Sequence, residues 1–263
     1  LAIFYIEVFY VGMIKVLQTA KFPLKICKGS YEERIALAKD LNKKFFNQIS
    51  QKFKTNEITF DVFTKTLKEN TPEKIQIEVN EYGTKKGGCT SFKLNKSQNG
   101  IEGLLMFFET NSYNKGIRLL NTDITLHETF HYFSHLANPK HTARVAKMYE
   151  KGLLDKTENF YKEHLYTRKE LNINKLKENL DQFLKDFTLQ DQIEFLQNSR
   201  YRMIEEYNAF DEGYKYLDKI QDEHPNLICE KIYGREKEEY NFLEKIKIVT
   251  DKLKEVIDKN RKS

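Results

Sequence analysis

The sequence predicts an α+β fold, with a small mixed sheet in its N-terminal half and only helices in its C-terminal half. Three observations carry this. Apolar residues recur every three or four positions over Tyr31–Phe53. They alternate with polar residues at Ile75, Ile77 and Val79, further strand-like segments follow as far as Thr110, and from Pro139 to Ser263 only the helical period returns. Residues 1–138 are expected to form an N-terminal lobe holding the sheet, and residues 139–263 a helical lobe.

The first residues, Leu1 to Leu17, are nearly all apolar but carry Glu7 and Lys15. A membrane span needs about 20 apolar residues, and a signal peptide needs a basic stretch ahead of its apolar one. Neither pattern is met, so no membrane span is expected. The segment reads as a buried strand, or as an extension ahead of a start at Met13.

The first helix rests on Ile35, Leu37, Leu41, Phe45, Phe46 and Ile49, with Ser30 as N-cap and Glu33 completing a capping box. A shorter helix over Phe60–Lys68 ends before Pro72. The period then drops to two at Ile75, Ile77 and Val79, the pattern of a half-buried strand. Gly87-Gly88 marks a turn. Thr90–Leu94 and Leu104–Thr110 read as further strands, separated by Asn99-Gly100, and Ile117–Leu120 follows Gly116.

From Thr122 the pattern is helical again, with Asn121 or Thr122 as cap and Asn138-Pro139 as the stop. Later helices break near Gly152, Thr188, Pro225 and Gly234. The last, about Lys237–Lys259, carries Tyr240, Leu243, Ile246, Val249, Leu253 and Val256 at helical steps. It reads as a surface helix packed on the domain, or as a partner-binding one.

Composition sets the class. The 263 residues are 40% hydrophobic and include 15 Tyr and 19 Phe, enough for a sizeable core, while 11 Gly and 4 Pro exclude a fibrous or disordered chain. The net charge of +5 comes from the N-terminal part, with 19 basic and 14 acidic residues up to Asn138 against 25 of each beyond it. Lys and Glu are interspersed as on solvated helix faces, so no nucleic-acid partner is expected. Cys27, Cys89 and Cys229 are far apart with no CxxC pair, which argues against a disulfide framework and a cysteine metal site. A reducing compartment, the cytoplasm, is the expected location.

The chemistry lies in Leu126-His127-Glu128-Thr129-Phe130-His131, which contains HExxH. On a helix, residues four apart share a face about 6 Å apart along the axis, so both imidazoles reach one ion. Glu128 is offset from them and can reach a water without ligating. Leu126, Phe130, Phe133 and Ala137 form a separate apolar stripe, so one stripe is expected in the core and the other on a cleft. His135 is about 12 Å from His127 along a regular helix and does not share the ion. It is expected at the helix C-terminus or in the cleft wall. His141, His164 and His224 read as surface histidines.

A third ligand must come from elsewhere, and the best segment is Arg202–Phe210. Around Glu206 lie Met203, Ala209, Phe210, Gly213 and Leu217, an apolar face with two small residues that allow close approach of another helix. Around Glu205 lie Tyr201, Arg202, Asn208 and Glu212, mostly polar. A carboxylate on the apolar face needs a positive partner, either a metal ion or an arginine such as Arg144 or Arg168. Glu205 is expected to rest in solvent.

On HExxH and on Glu206-Tyr207-Asn208-Ala209-Phe210, which matches E-x-x-A followed by an aromatic, the chain resembles the gluzincin metallopeptidases over roughly Ile75–Leu217. That resemblance implies a zincin-like fold with an edge strand near Gly103–Thr110. It implies Zn2+ held by His127, His131 and Glu206, and peptide-bond hydrolysis with Glu128 as general base. An extended peptide or protein substrate is expected to pair with the edge strand. Tyr207, Tyr214 and Arg202 are alternative donors to the oxyanion. Two departures stand out: about 75 residues separate His131 from Glu206, and no Asp follows Glu206 by four. Two other readings remain open, an inactive zincin-like binding module and a helical interaction protein with a chance motif.

Overall fold

The structure, a computed structural model, describes residues 30–50, 57–71, 76–81, 88–94, 101–108, 110–114, 117–138, 153–223 and 240–262. The N-terminal apolar segment, the Gly87 and Asn99-Gly100 turns, and the breaks at Gly152, Pro225 and Gly234 lie outside them.

Chain contacts divide the molecule into two compact units. The first comprises Leu1–Ala143 with Asp211–Ile232, and the second Arg144–Phe210 with Tyr233–Ser263. In the first unit, α1 (Tyr31–Ile49) starts at Ser30, whose hydroxyl accepts from the Glu33 amide while the Glu33 carboxylate accepts from the Ser30 amide. This reciprocal pair supplies about 1 kcal/mol and fixes the start of the helix. Then come β1 (Glu57–Thr59), capping through Thr59 the short α2 (Phe60–Glu69), and β2 (Gln76–Glu81), β3 (Gly88–Leu94), β4 (Ile101–Phe108), β5 (Thr110–Asn114) and β6 (Ile117–Asn121). The motif helix α3 spans Thr122–Ala137.

Helix α3 is seated by aromatic contacts. Phe45 of α1 meets Phe133 at 5.8 Å and Phe63 of α2 edge-on at 5.6 Å. The Tyr132 hydroxyl is hydrogen-bonded to that of Thr71, just past α2. Arg34 donates to the Asn138 side chain at 2.8 Å, tying the start of α1 to the end of α3.

The second unit is built from α4 (Leu154–Phe160), a π-helical turn at Tyr161–Leu165, α5 (Ile173–Leu184), part of α6 (Leu189–Glu223) and α7 (Phe242–Lys262). Leu176, Leu180 and Leu184 bury one stripe of α5, as their i,i+4 spacing dictates. Phe160, Phe183, Phe187 and Phe195 gather with ring centroids 4.3 to 6.3 Å apart. Arg200 of α6 donates to Thr250 of α7 at 3.0 Å.

The expected fold class, α+β on one small mixed sheet, is corrected. Among the residues whose side chains are described, the buried hydrophobic ones lie on a helix or within two residues of one, which conflicts with a core shared between helices and a single sheet. The extended segments do not join into one sheet. β1, β6 and β5 pair in one antiparallel set of three, while β4 pairs in parallel with β2 and antiparallel with β3 in another. Period-two alternation reports a locally extended backbone. It does not report which distant segments pair, because register is settled by tertiary packing. The expected edge strand at Gly103–Thr110 is corrected with it. β4 ends at Phe108 and has a partner on each side along most of its length, so it offers no free edge to a peptide.

Candidate metal centre

Helix α3 is buried around its whole circumference from Leu126 to Ser134. The histidine stripe expected to face a cleft is therefore inside as well, with His127 9% and His131 2% exposed. Glu128 is 2% exposed between them. A helix with apolar residues all round would be unremarkable in that position. Two imidazoles and a carboxylate there demand polar or ionic compensation.

The compensation is visible in how the side chains converge. The Nε2 atoms of His127 and His131 lie 3.1 Å apart. Two nitrogens that near each other share a proton or a cation. Tetrahedral ligands bonded at 2.0–2.1 Å are about 3.3 Å apart, so the observed spacing matches a shared ion within a few tenths of an ångström. One carboxylate oxygen of Glu206 completes the group, and the three ligand atoms all lie within 4.8 Å of one another. His127, His131 and Glu206 are all buried, and together they can hold a metal ion.

Glu206 is placed by α6, one continuous helix of 35 residues. Seven residues on, Gly213 lies on the same face of that helix, and a Cβ built there would stand 3.8 Å from the His127 amide nitrogen. Ala209, between them, is fully buried. The small residues on this face thus allow α6 to run close to the backbone of the motif helix.

One expectation about Glu205 is corrected. It does not rest in solvent but is 5% exposed, against 3% for Glu206, because Tyr201, Asn208 and Glu212 on the same side are buried too. Glu212 has its own cations, with Lys39 at 3.9 Å and Lys215 at 3.6 Å. Glu128, Glu205 and Glu206 are all at least nine-tenths buried, and a metal ion held by the cluster would offset charge that burial otherwise makes costly.

Among the alternative oxyanion donors, Arg202 is held by Glu158 through two hydrogen bonds of 2.6 and 3.2 Å. Tyr207 and Tyr214 are half-buried on α6. His135 sits in the last turn of α3, where the helix C-terminus favours a cation. His164 packs on the Phe160 ring at 4.6 Å, and burial lowers its pKa. Arg168, an alternative partner for Glu206, lies over the Tyr240 ring at 5.3 Å. His141, His224 and Arg144 lie outside the described residues.

Two charged contacts were not legible in the sequence. One is the Glu158–Arg202 pair, whose guanidinium lies 3.8 Å from the centroid of the Tyr161 ring. The other is Lys245, 1% exposed, which donates to the Leu165 and Thr167 carbonyls at 3.1 and 2.9 Å. Burial lowers its pKa to about 8. The partners lie 44 and 80 residues apart in the chain, so no spacing in the sequence marks them. Among the described residues no helix is long and apolar enough to cross a membrane. Comparison with protein-family models, with curated proteins and with solved structures found no match.

Proposed function

We propose that the chain is a zinc-dependent metallopeptidase, with His127, His131 and Glu206 as ligands and Glu128 as general base. The observation that carries this reading is the convergence of two imidazole Nε2 atoms 3.1 Å apart with a buried carboxylate in the same group. Two nitrogens and one carboxylate oxygen are the donor set of a catalytic zinc site that keeps a fourth position open. When bound there, zinc supplies Lewis acidity, acidifying water and polarising a carbonyl.

The residues of the chain do the rest. Glu128 follows His127 directly on α3 and is offset by about 100° from it round the helix, off the ligand stripe, where a carboxylate serves proton transfer rather than ligation. Its carboxylate takes the proton of the attacking water and returns it to the leaving nitrogen. Its burial excludes bulk solvent from that transfer. The widely spaced cysteines support placing the reaction in the cytoplasm.

A mixed peptide library incubated with the zinc-loaded protein tests the reading. Cleavage that stops on chelation and returns with zinc is the expected result. Zinc binding without cleavage of any peptide would favour a binding module instead.

A further inference from the structure

The proposed third ligand sits beside a half-buried arrangement that the proposed chemistry does not use. Arg202 precedes Glu206 by one turn of α6, so the two share a face about 6 Å apart along the axis. The guanidinium is fixed in two ways. Its fork meets both oxygens of Glu158, at 2.6 and 3.2 Å, and its plane lies over the Tyr161 ring, 3.8 Å from the centroid. A bidentate carboxylate and an aromatic face together hold a guanidinium far more tightly than a single ion pair does.

The aromatic platform is itself anchored. Tyr161 opens the π-helical turn Tyr161–Leu165, a backbone form that is uncommon and concentrates at functional sites. The ammonium of Lys245 closes that turn by donating to the Leu165 and Thr167 carbonyls. Charge links the arrangement to the ligand. Burial works against the Arg202 cation, and Glu158, Tyr161 and Glu206 more than reverse that, raising its pKa.

We infer that Arg202, fixed by Glu158 and Tyr161, is a positioning residue for the metal site, holding the Glu206 carboxylate where it serves as third ligand. This rests on the zinc reading given above. Supporting partners of this kind are worth about 10- to 100-fold in metal affinity.

The test must separate positioning from folding, because a charge left alone in a half-buried pair destabilises the protein. Arg202→Met, Glu158→Gln and the double variant are compared with wild type in two measurements. One is zinc affinity, by competition with a chromophoric chelator. The other is thermal unfolding of the zinc-free protein. Each single variant is expected to lose stability and about 10- to 100-fold in zinc affinity. The double variant carries no lone charge at the pair, so it is expected to regain stability while keeping the loss of affinity. The absorption bands of bound Co2+ are expected to change in all three, reporting an altered ligand geometry. Affinity that recovers along with stability in the double variant, or that never falls, overturns the inference and leaves the zinc site standing. Wild-type protein that binds no zinc removes the site itself.

Discussion

The His127 and His131 side chains meet with their Nε2 atoms 3.1 Å apart, inside a helix buried on every side. Imidazoles four residues apart are common on helices, but only chosen rotamers bring the two ring nitrogens together. Bringing both inside costs free energy unless an ion or a proton is shared. The consequences for this protein can be measured directly.

Purified protein is expected to carry about one zinc per chain, since the group offers one set of three ligands. His127→Ala and His131→Ala are each expected to lower zinc affinity by more than the roughly 10- to 100-fold that a supporting partner is worth. Metal analysis by mass spectrometry after dialysis checks this. Equal zinc in wild type and both variants would show that the histidines do not ligate.

Glu128→Gln preserves size and removes the base. Zinc content is expected to stay at the wild-type level while peptide cleavage falls by about a hundredfold or more. Loss of zinc in this variant would mean that Glu128 ligates, contrary to its assignment to proton transfer.

Glu205 and Glu206 are neighbours of nearly equal burial, so burial does not tell them apart. Only Glu206 shares the metal-capable group with the histidines. Zinc titration of Glu206→Ala is expected to show no tight binding, whereas Glu205→Ala keeps it. The reverse pattern would move the third ligand one residue along α6.

Lys245 predicts a pH dependence of stability. Burial lowers its pKa from 10.5 to about 8, so between those values the unfolded chain binds the proton and the folded chain does not. Stability therefore rises with pH through this window, is complete above 10.5 and is lost as pH falls through 8. The neutral amine still has two N–H donors for the Leu165 and Thr167 carbonyls, so deprotonation leaves those bonds in place. Denaturant unfolding at pH 8 and pH 10 is expected to show wild type gaining about 2–3 kcal/mol relative to Lys245→Met. A constant difference between the two proteins would show that the buried amine does not titrate there.

The sequence by itself determined what depends on neighbours along the chain. Ser30 and Glu33 cap α1 because a capping box needs only three residues' separation, and the helix begins where they place it. HExxH on a helix put His127 and His131 on one face through the 3.6-residue period alone. The choice of Glu206 followed from the same period, which set Ala209 and Gly213 on its face, and Gly213 does come close to the His127 backbone.

Tertiary structure decided what depends on distant segments. Alternation at Ile77 and Val79 could not say that β2 would pair in parallel with β4, nor that β4 would be enclosed on both sides and lost as an edge. Counting polar neighbours put Glu205 in water, yet Tyr201, Asn208 and Glu212 are covered by packing that no local window contains. Glu158 and Arg202 are 44 residues apart, and Lys245 lies 80 from the Leu165 carbonyl it meets. Such pairs form because burying a charge is costly unless a partner arrives from elsewhere in the fold, and only the folded chain settles which partner arrives.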